Sequence, residues 1–170
     1  HERTGDMPVL TAIDLLGIQR YVFASNRLRD AAGASWLVNW ATAFETGSAL
    51  EQLGIKREDV LMAAGGNVIL QFPGKPEAKA FAGRYSRLLI DKTPGLEAVI
   101  VHRDIEGSIA DTLPNLHKDV ARAKLERRPS VPLLGLGVTA ACRETGLPAV
   151  GFDPHDSTIP LSAQILEARK

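Results

Sequence analysis

Residues 60–72 constrain the fold of this chain more than any other stretch. Val60-Leu61-Met62-Ala63-Ala64 and Val68-Ile69-Leu70-Gln71-Phe72 are short apolar runs separated by Gly65-Gly66-Asn67, and Pro73-Gly74 closes the second. Glycine and asparagine accept the positive φ angles that tight hairpin turns demand. Two strands joined this way are antiparallel neighbours. That excludes a doubly wound parallel sheet, whose strands need long helical crossovers.

The rest of the chain alternates between the two periodicities. Val9-Leu10-Thr11-Ala12-Ile13 reads as a buried strand that presents Asp14 at its carboxyl end, with Gly17 soon after. Helical spacing runs from Ile18 to about Ala31, with Gly33 as the expected break. Trp36, Leu37, Trp40, Ala41 and Phe44 form the inner stripe of a second helix reaching about Leu50. Ala78 to Leu89 marks a third helix, Leu96 to Val101 a strand, and Asp111 to Arg128 a helix with Pro114 in its first turns. Leu133 to Ala140 is expected as a last strand, Cys142 to Ser157 as a loop, and Leu161 to Lys170 as a closing helix.

The order β, α, α, β-hairpin, α, β, α, β predicts an α/β (α+β) sandwich: a ferredoxin-like or palm-type arrangement with a mixed antiparallel sheet and helices mainly on one face. In domain terms, residues 1–7 are an N-terminal extension or a leftover of cloning. Residues 8–141 are the palm-type domain, and 142–170 are a loop and helix leading towards a further domain. A complete chain and a piece of a longer one both fit this reading.

Composition removes several function classes. Among 170 residues, 20 Lys and Arg balance 20 Asp and Glu, which argues against a general nucleic-acid-binding surface. No apolar run approaches the roughly 20 residues of a membrane-spanning helix. The single cysteine cannot build a disulfide framework or a Cys-rich zinc site. Cys142 with the distant His102, His117 and His155 does not supply four zinc ligands. No secretory signal pattern opens the chain, so a cytoplasmic location is expected. There is no phosphate-binding Gly-x-x-x-x-Gly-Lys-Ser/Thr loop, and no Ser/His/Asp ordering that suggests a hydrolase.

Two points carry the candidate chemistry. Asp14 offers a carboxylate from a strand end, and Gly65-Gly66-Asn67 lets a phosphate approach the backbone closely. Each has a plainer reading beside it: Asp14 as a cap for the helix near Gly17, and the tip as a turn and nothing more. Lys118, Arg122, Lys124, Arg127 and Arg128, like Arg20, Arg27 and Arg29, read either as phosphate contacts or as solvated faces. Trp36, Trp40 and Phe44 read as core or dimer interface.

Ile13-Asp14-Leu15-Leu16-Gly17-Ile18-Gln19-Arg20-Tyr21-Val22-Phe23, then Asn26-Arg27-Leu28-Arg29 with Gly33-Ala34-Ser35-Trp36-Leu37-Val38, and Ala64-Gly65-Gly66-Asn67-Val68 together resemble the GGDEF/nucleotidyl-cyclase palm superfamily. The resemblance is closer to the palm domains of the large polymerase-like subunit of type III CRISPR effector complexes and its stand-alone relatives, and it spans residues 8 to 150. Active members carry two adjacent acids after the paired glycines, where this chain has Asn67-Val68. Asparagine offers a metal one neutral oxygen and valine none, so Asp14 would hold an ion almost alone.

The resemblance therefore implies a degenerate, non-catalytic palm that pairs with another palm, as a homodimer or within a longer chain. That palm supports or completes an ATP site in prokaryotic antiviral defence. The implied nucleotide-binding residues are Asp14, Leu15, Gly17, Gly65, Gly66, Asn67 and Lys124, with Asp14 as the metal ligand if Mg2+ accompanies ATP. RNA would be reached only through a larger complex, and no membrane is implied. Two alternatives stand beside it: an active magnesium-dependent cyclase or polymerase using Asp14 with an acid such as Asp59, Asp104 or Glu106, and a protein-interaction module that binds no nucleotide.

Overall fold

The computed structural model describes residues 7–128 and 137–170. Strand β1 (Val9–Leu16) is followed by helices α1 (Ile18–Val22), α2 (Leu28–Thr42) and α3 (Ala49–Gln52). The hairpin β2 (Val60–Ala64) and β3 (Asn67–Phe72) then leads to α4 (Lys75–Lys92), β4 (Glu97–Asp104) and α5 (Ile109–Glu126). The four strands form one sheet in the order β2-β3-β1-β4, antiparallel at every pairing, so β1 is central. This is the ferredoxin-like α+β sandwich that the element order predicts.

Strand alternation divides the core between the two sheet faces. Val9, Ile13 and Leu15 of β1 pack with Leu37, Val38 and Ala41 of α2 and with Phe81, Tyr85 and Leu89 of α4. Leu10 and Ala12 point the other way and pack with Ile69 and Leu116 of α5. Most helices thus share one face, while α5 covers part of the other. Phe81 and Tyr85 are fully buried with ring centroids 5.6 Å apart, and each such side chain contributes roughly 1.5–3 kcal/mol by burial. The Tyr85 hydroxyl donates to the Ala41 carbonyl at 2.8 Å, tying α4 to α2.

Several sequence expectations need correction. The helix expected over Ile18–Ala31 is two pieces, α1 and the start of α2, divided by a turn in which the Arg27 amide donates to Ser25 Oγ. Gly33 does not break α2, because it serves a tertiary contact: a Cβ there would lie 1.8 Å from the Ala168 carbonyl oxygen. The helix expected to reach Leu50 ends at Thr42, and a separate short α3, capped by Ser48, follows.

The expected loop over Cys142–Ser157 contains β5 (Gly151–Asp153), which pairs with β6 (Asp156–Leu161) in a small hairpin, and α6 (Ala163–Ala168) follows. The strand expected over Leu133–Ala140 lies largely outside the described residues, and its described part, 137–140, is irregular. Residues 142–170 pack directly onto the sandwich. Arg169 and Asp30 are both buried and joined by bonds of 2.7 Å, and Arg169 also engages Asp153. Among the described residues, no helix is long and apolar enough to cross a membrane.

Candidate functional site

Asp14 sits on the α5 face of β1, in register with Asn67 of β3 on one side and Val99 of β4 on the other. It does not cap α1, whose N-cap is Gly17 (φ 63°) with no side-chain cap. Instead its carboxylate forms an ion pair with Lys124 Nζ at 2.6 Å, where Lys124 lies in the last turn of α5. His117, Val120, Ala121 and Lys124 recur at helical spacing along one side of α5. With Asp14, Asn67 and Met62 they line a cleft of about 230 Å³. The structure therefore brings Asp14, Asn67 and Lys124 together. His117 is the cleft residue that sequence reading missed, and its one signal is its three-, four- and seven-residue spacing to the other three.

The hairpin tip is more firmly held than the sequence suggests. Gly65 and Gly66 have φ of 62° and 88°, the pair of positive angles that only a Gly-rich tight turn supplies cheaply. The Gly66 amide donates to Thr42 Oγ1 at 3.2 Å, and its carbonyl accepts from the Leu15 amide at 2.8 Å. A Cβ on Gly66 would lie 2.3 Å from Ile18 Cδ1, so that side of the tip is filled by protein; a Cβ on Gly65 would meet nothing within 4 Å beyond its chain neighbours. Close approach of a ligand is thus open at Gly65 and closed at Gly66. Leu15 is buried on the opposite sheet face, and Gly17 lies beside the Arg20 guanidinium.

The donor set does not fit a divalent ion. Such an ion wants several hard anionic oxygens, and Asp14, already engaged by an ammonium group, is the single carboxylate lining the cleft. Asp104 is in register with Val9 and pairs with Lys75 at 2.6 Å. That is five residues along β1 from Asp14, roughly 16 Å at strand spacing. Glu106 follows beyond it, and Asp59 precedes β2 at the end of the hairpin away from its tip. None of the three shares an ion with Asp14. Among the described residues, no group of three or more His, Cys, Asp or Glu side chains is placed to hold a metal.

The other candidates are accounted for locally. Arg122 pairs with Asp119 at 2.5 Å, and Arg127 pairs with Glu97, so much of the basic run on α5 is neutralised within the protein. Arg27 and Arg29 lie 3.9 Å from Glu144 and Asp153. Trp40 is buried and its indole N–H donates to the Gly47 carbonyl, whereas Trp36 is 61% exposed. Cys142 is buried. Burial raises its thiol pKa, but hydrogen bonds with Ser162 and Thr145 outweigh this and hold it below the ordinary value. His102 bonds to Thr11 on the sheet, and His155 sits in the β5–β6 turn, so these side chains are scattered.

No profile of a known family matches the chain, and no curated protein matches it in sequence. In fold it is similar to solved structures. One is a chain of the apo Csm1-Csm4 cassette, at 20% identity and a TM-score of 0.55 over 74% of this chain and 19% of that one. Another is a chain of the Csm1-Csm4 cassette in complex with AMPPNP (22% identity, TM-score 0.54, 75% of this chain and 20% of that one). A third is a chain of the Csm1-Csm4 subcomplex in the type III-A CRISPR-Csm interference complex (20% identity, TM-score 0.53, 74% and 20%). The chain spans about a fifth of the length of the solved chains it matches, and its fold is that of a segment of them.

Proposed function

We propose that this chain is a non-catalytic palm of a type III CRISPR-like defence assembly in the cytoplasm. It pairs with another palm and supports or completes an ATP site without performing the chemistry. One observation carries the reading: the hairpin tip sets the neutral Asn67 opposite Asp14, and the Asp14 carboxylate is already engaged by Lys124. A palm of this kind keeps the sheet and the glycine turn but lacks the paired acids of a two-metal phosphoryl-transfer centre. Likeness in fold to a cassette solved with AMPPNP supports the nucleotide side of the proposal.

In this reading Lys124 and the Gly65 amide offer donors to phosphate oxygens, and the Asn67 carboxamide offers both a donor and an acceptor. Calorimetric titration with ATP, with and without magnesium, tests it, with Asp14→Ala measured alongside. Saturable binding that Asp14→Ala weakens, with no oligonucleotide product, is the expected result. Product formation by the isolated chain overturns the non-catalytic reading. No binding in either protein favours a second reading, an assembly module without nucleotide, for which the exposed Leu28 and Trp36 on α2 speak.

A further inference from the structure

Helix α5 covers only part of its sheet face. The cluster beneath it is built from Leu10, Ala12, Ile69 and Leu116, and no residue of β2 joins it. Met62 of β2 is in register with Ile69, so both side chains stand on this face. Ile69 is buried, whereas Met62 beside it is 41% exposed. The cleft runs between this uncovered strand and α5, and His117 lines it from the helix. His117 is exposed and, among the described residues, has no ion pair or side-chain hydrogen bond. Lys124, further along the same side of α5, is held by Asp14.

The two ends of the cleft differ in chemistry. Asp14, Asn67 and Lys124 make one end polar. Seven residues, two helical turns or roughly 10 Å, separate Lys124 from His117. Between them the lining is Ala12, Ile69, Val120 and Ala121, with no charge. A second phosphate at His117 would rest on that apolar floor and lose water without compensation. A flat, weakly polar ring suits it, because an imidazole offers a stacking face and a thioether packs well on ring edges. At about 230 Å³ the cleft is smaller than the roughly 300–1,000 Å³ of pockets that enclose a whole ligand. It therefore encloses the ring end of a nucleotide and leaves the outer phosphates beyond it.

We infer that the space between Met62 and His117 is the base subsite of the nucleotide whose phosphates meet Lys124. The base stacks on the His117 imidazole, and the Met62 thioether closes its edge. This rests on the nucleotide reading above and adds to it the place of the base and the residue that binds it.

Titration of the whole chain with two probes, ATP and inorganic tripolyphosphate, tests it. His117→Ala is expected to weaken ATP about tenfold, the scale of losing one stacking partner, and to leave tripolyphosphate unchanged. His117→Phe, which keeps a ring face, retains ATP affinity, and Lys124→Ala weakens both probes. His117 is exposed, so its variants should melt as the wild type does. The chain has two methionines, Met7 and Met62, so protein labelled with 13C at the methionine methyls gives two signals. ATP should shift that of Met62 and leave that of Met7 in place. An ATP affinity indifferent to His117→Ala, an equal loss for both probes, or an unmoved Met62 methyl in the presence of bound ATP overturns the base subsite and leaves the nucleotide reading standing. Absence of any ATP binding overturns both.

Discussion

The guanidinium of Arg169 meets the Asp30 carboxylate through two bonds of 2.7 Å, and both side chains are withdrawn from water. This bidentate pair joins the last turn of the chain to the first turn of α2, 139 residues earlier. Burial raises the Asp30 pKa, but hydrogen bonds from Arg169 and Ser25 and the charges of Arg169 and Arg29 outweigh it and hold the value below the ordinary one. A carboxyl with a depressed folded pKa contributes stability that is fully present above its unfolded pKa, roughly 4, and is lost as pH falls through the folded value. Arg169→Met leaves Asp30 buried without its partner and is expected to cost about 3–5 kcal/mol in urea unfolding at neutral pH. The wild-type protein should lose stability steeply only below about pH 4.

Two glycines in helices separate tertiary from local effects. At Gly33 a methyl group would collide with the Ala168 carbonyl, so Gly33→Ala must push α6 away from α2. A loss of about 2 kcal/mol or more is expected from such overpacking. Gly83, within α4, has nothing within 4 Å of an added Cβ. Gly83→Ala should stabilise the protein by about 0.5–1 kcal/mol through helix propensity alone. Thermal melts of both variants check the opposite signs.

The same glycine shows where the sequence is legible. The hairpin, the alternation of β1 and the order of the sheet elements follow from local pattern, and the sandwich they predict is the fold found. Gly33 reads locally as a helix break because only α6, far away in the sequence, gives it a packing role. Trp36 and Trp40 have the same local spacing signal, and α2's rotation alone decides that one is inside and the other out. The β5–β6 hairpin is hidden by its brevity and by Pro160 within it. Asp14 and Asn67 are visible as a pair because both stand in the palm motifs that the sequence resembles. The Lys124 contact is not, because it depends on α5 crossing to the other sheet face.

Two buried tyrosines are expected to respond oppositely to loss of the hydroxyl. Tyr85 Oη donates to the Ala41 carbonyl in the core, and Tyr85→Phe leaves that acceptor unsatisfied at a cost of about 1–3 kcal/mol. The Tyr21 hydroxyl finds no hydrogen-bond partner among the described residues although it is buried. Tyr21→Phe removes an uncompensated polar group, so its urea midpoint should be unchanged or higher.

Metal affinity gives the sharpest check on the cleft. With Lys124 on Asp14 and a neutral amide at Asn67, the wild-type protein is expected to show no saturable Mg2+ or Mn2+ binding, and chelation should leave its ATP affinity unchanged. Because the Asp14–Lys124 pair is partly exposed, removing either partner should change folding stability by no more than about 1 kcal/mol. Removing Lys124 should still weaken ATP about tenfold, the scale of one charge-assisted hydrogen bond, and removing Asp14 should weaken it less, through loss of the carboxylate that holds the Lys124 ammonium group in place. Asn67→Asp combined with Lys124→Ala puts a second carboxylate directly across the strand pair from Asp14, with Cβ atoms about 5 Å apart, and removes the ammonium group that competes for it. Manganese binding that appears in this double variant, followed by electron paramagnetic resonance, means that the palm scaffold still carries the geometry of a metal site. Its absence means that the hairpin has moved beyond what two substitutions restore.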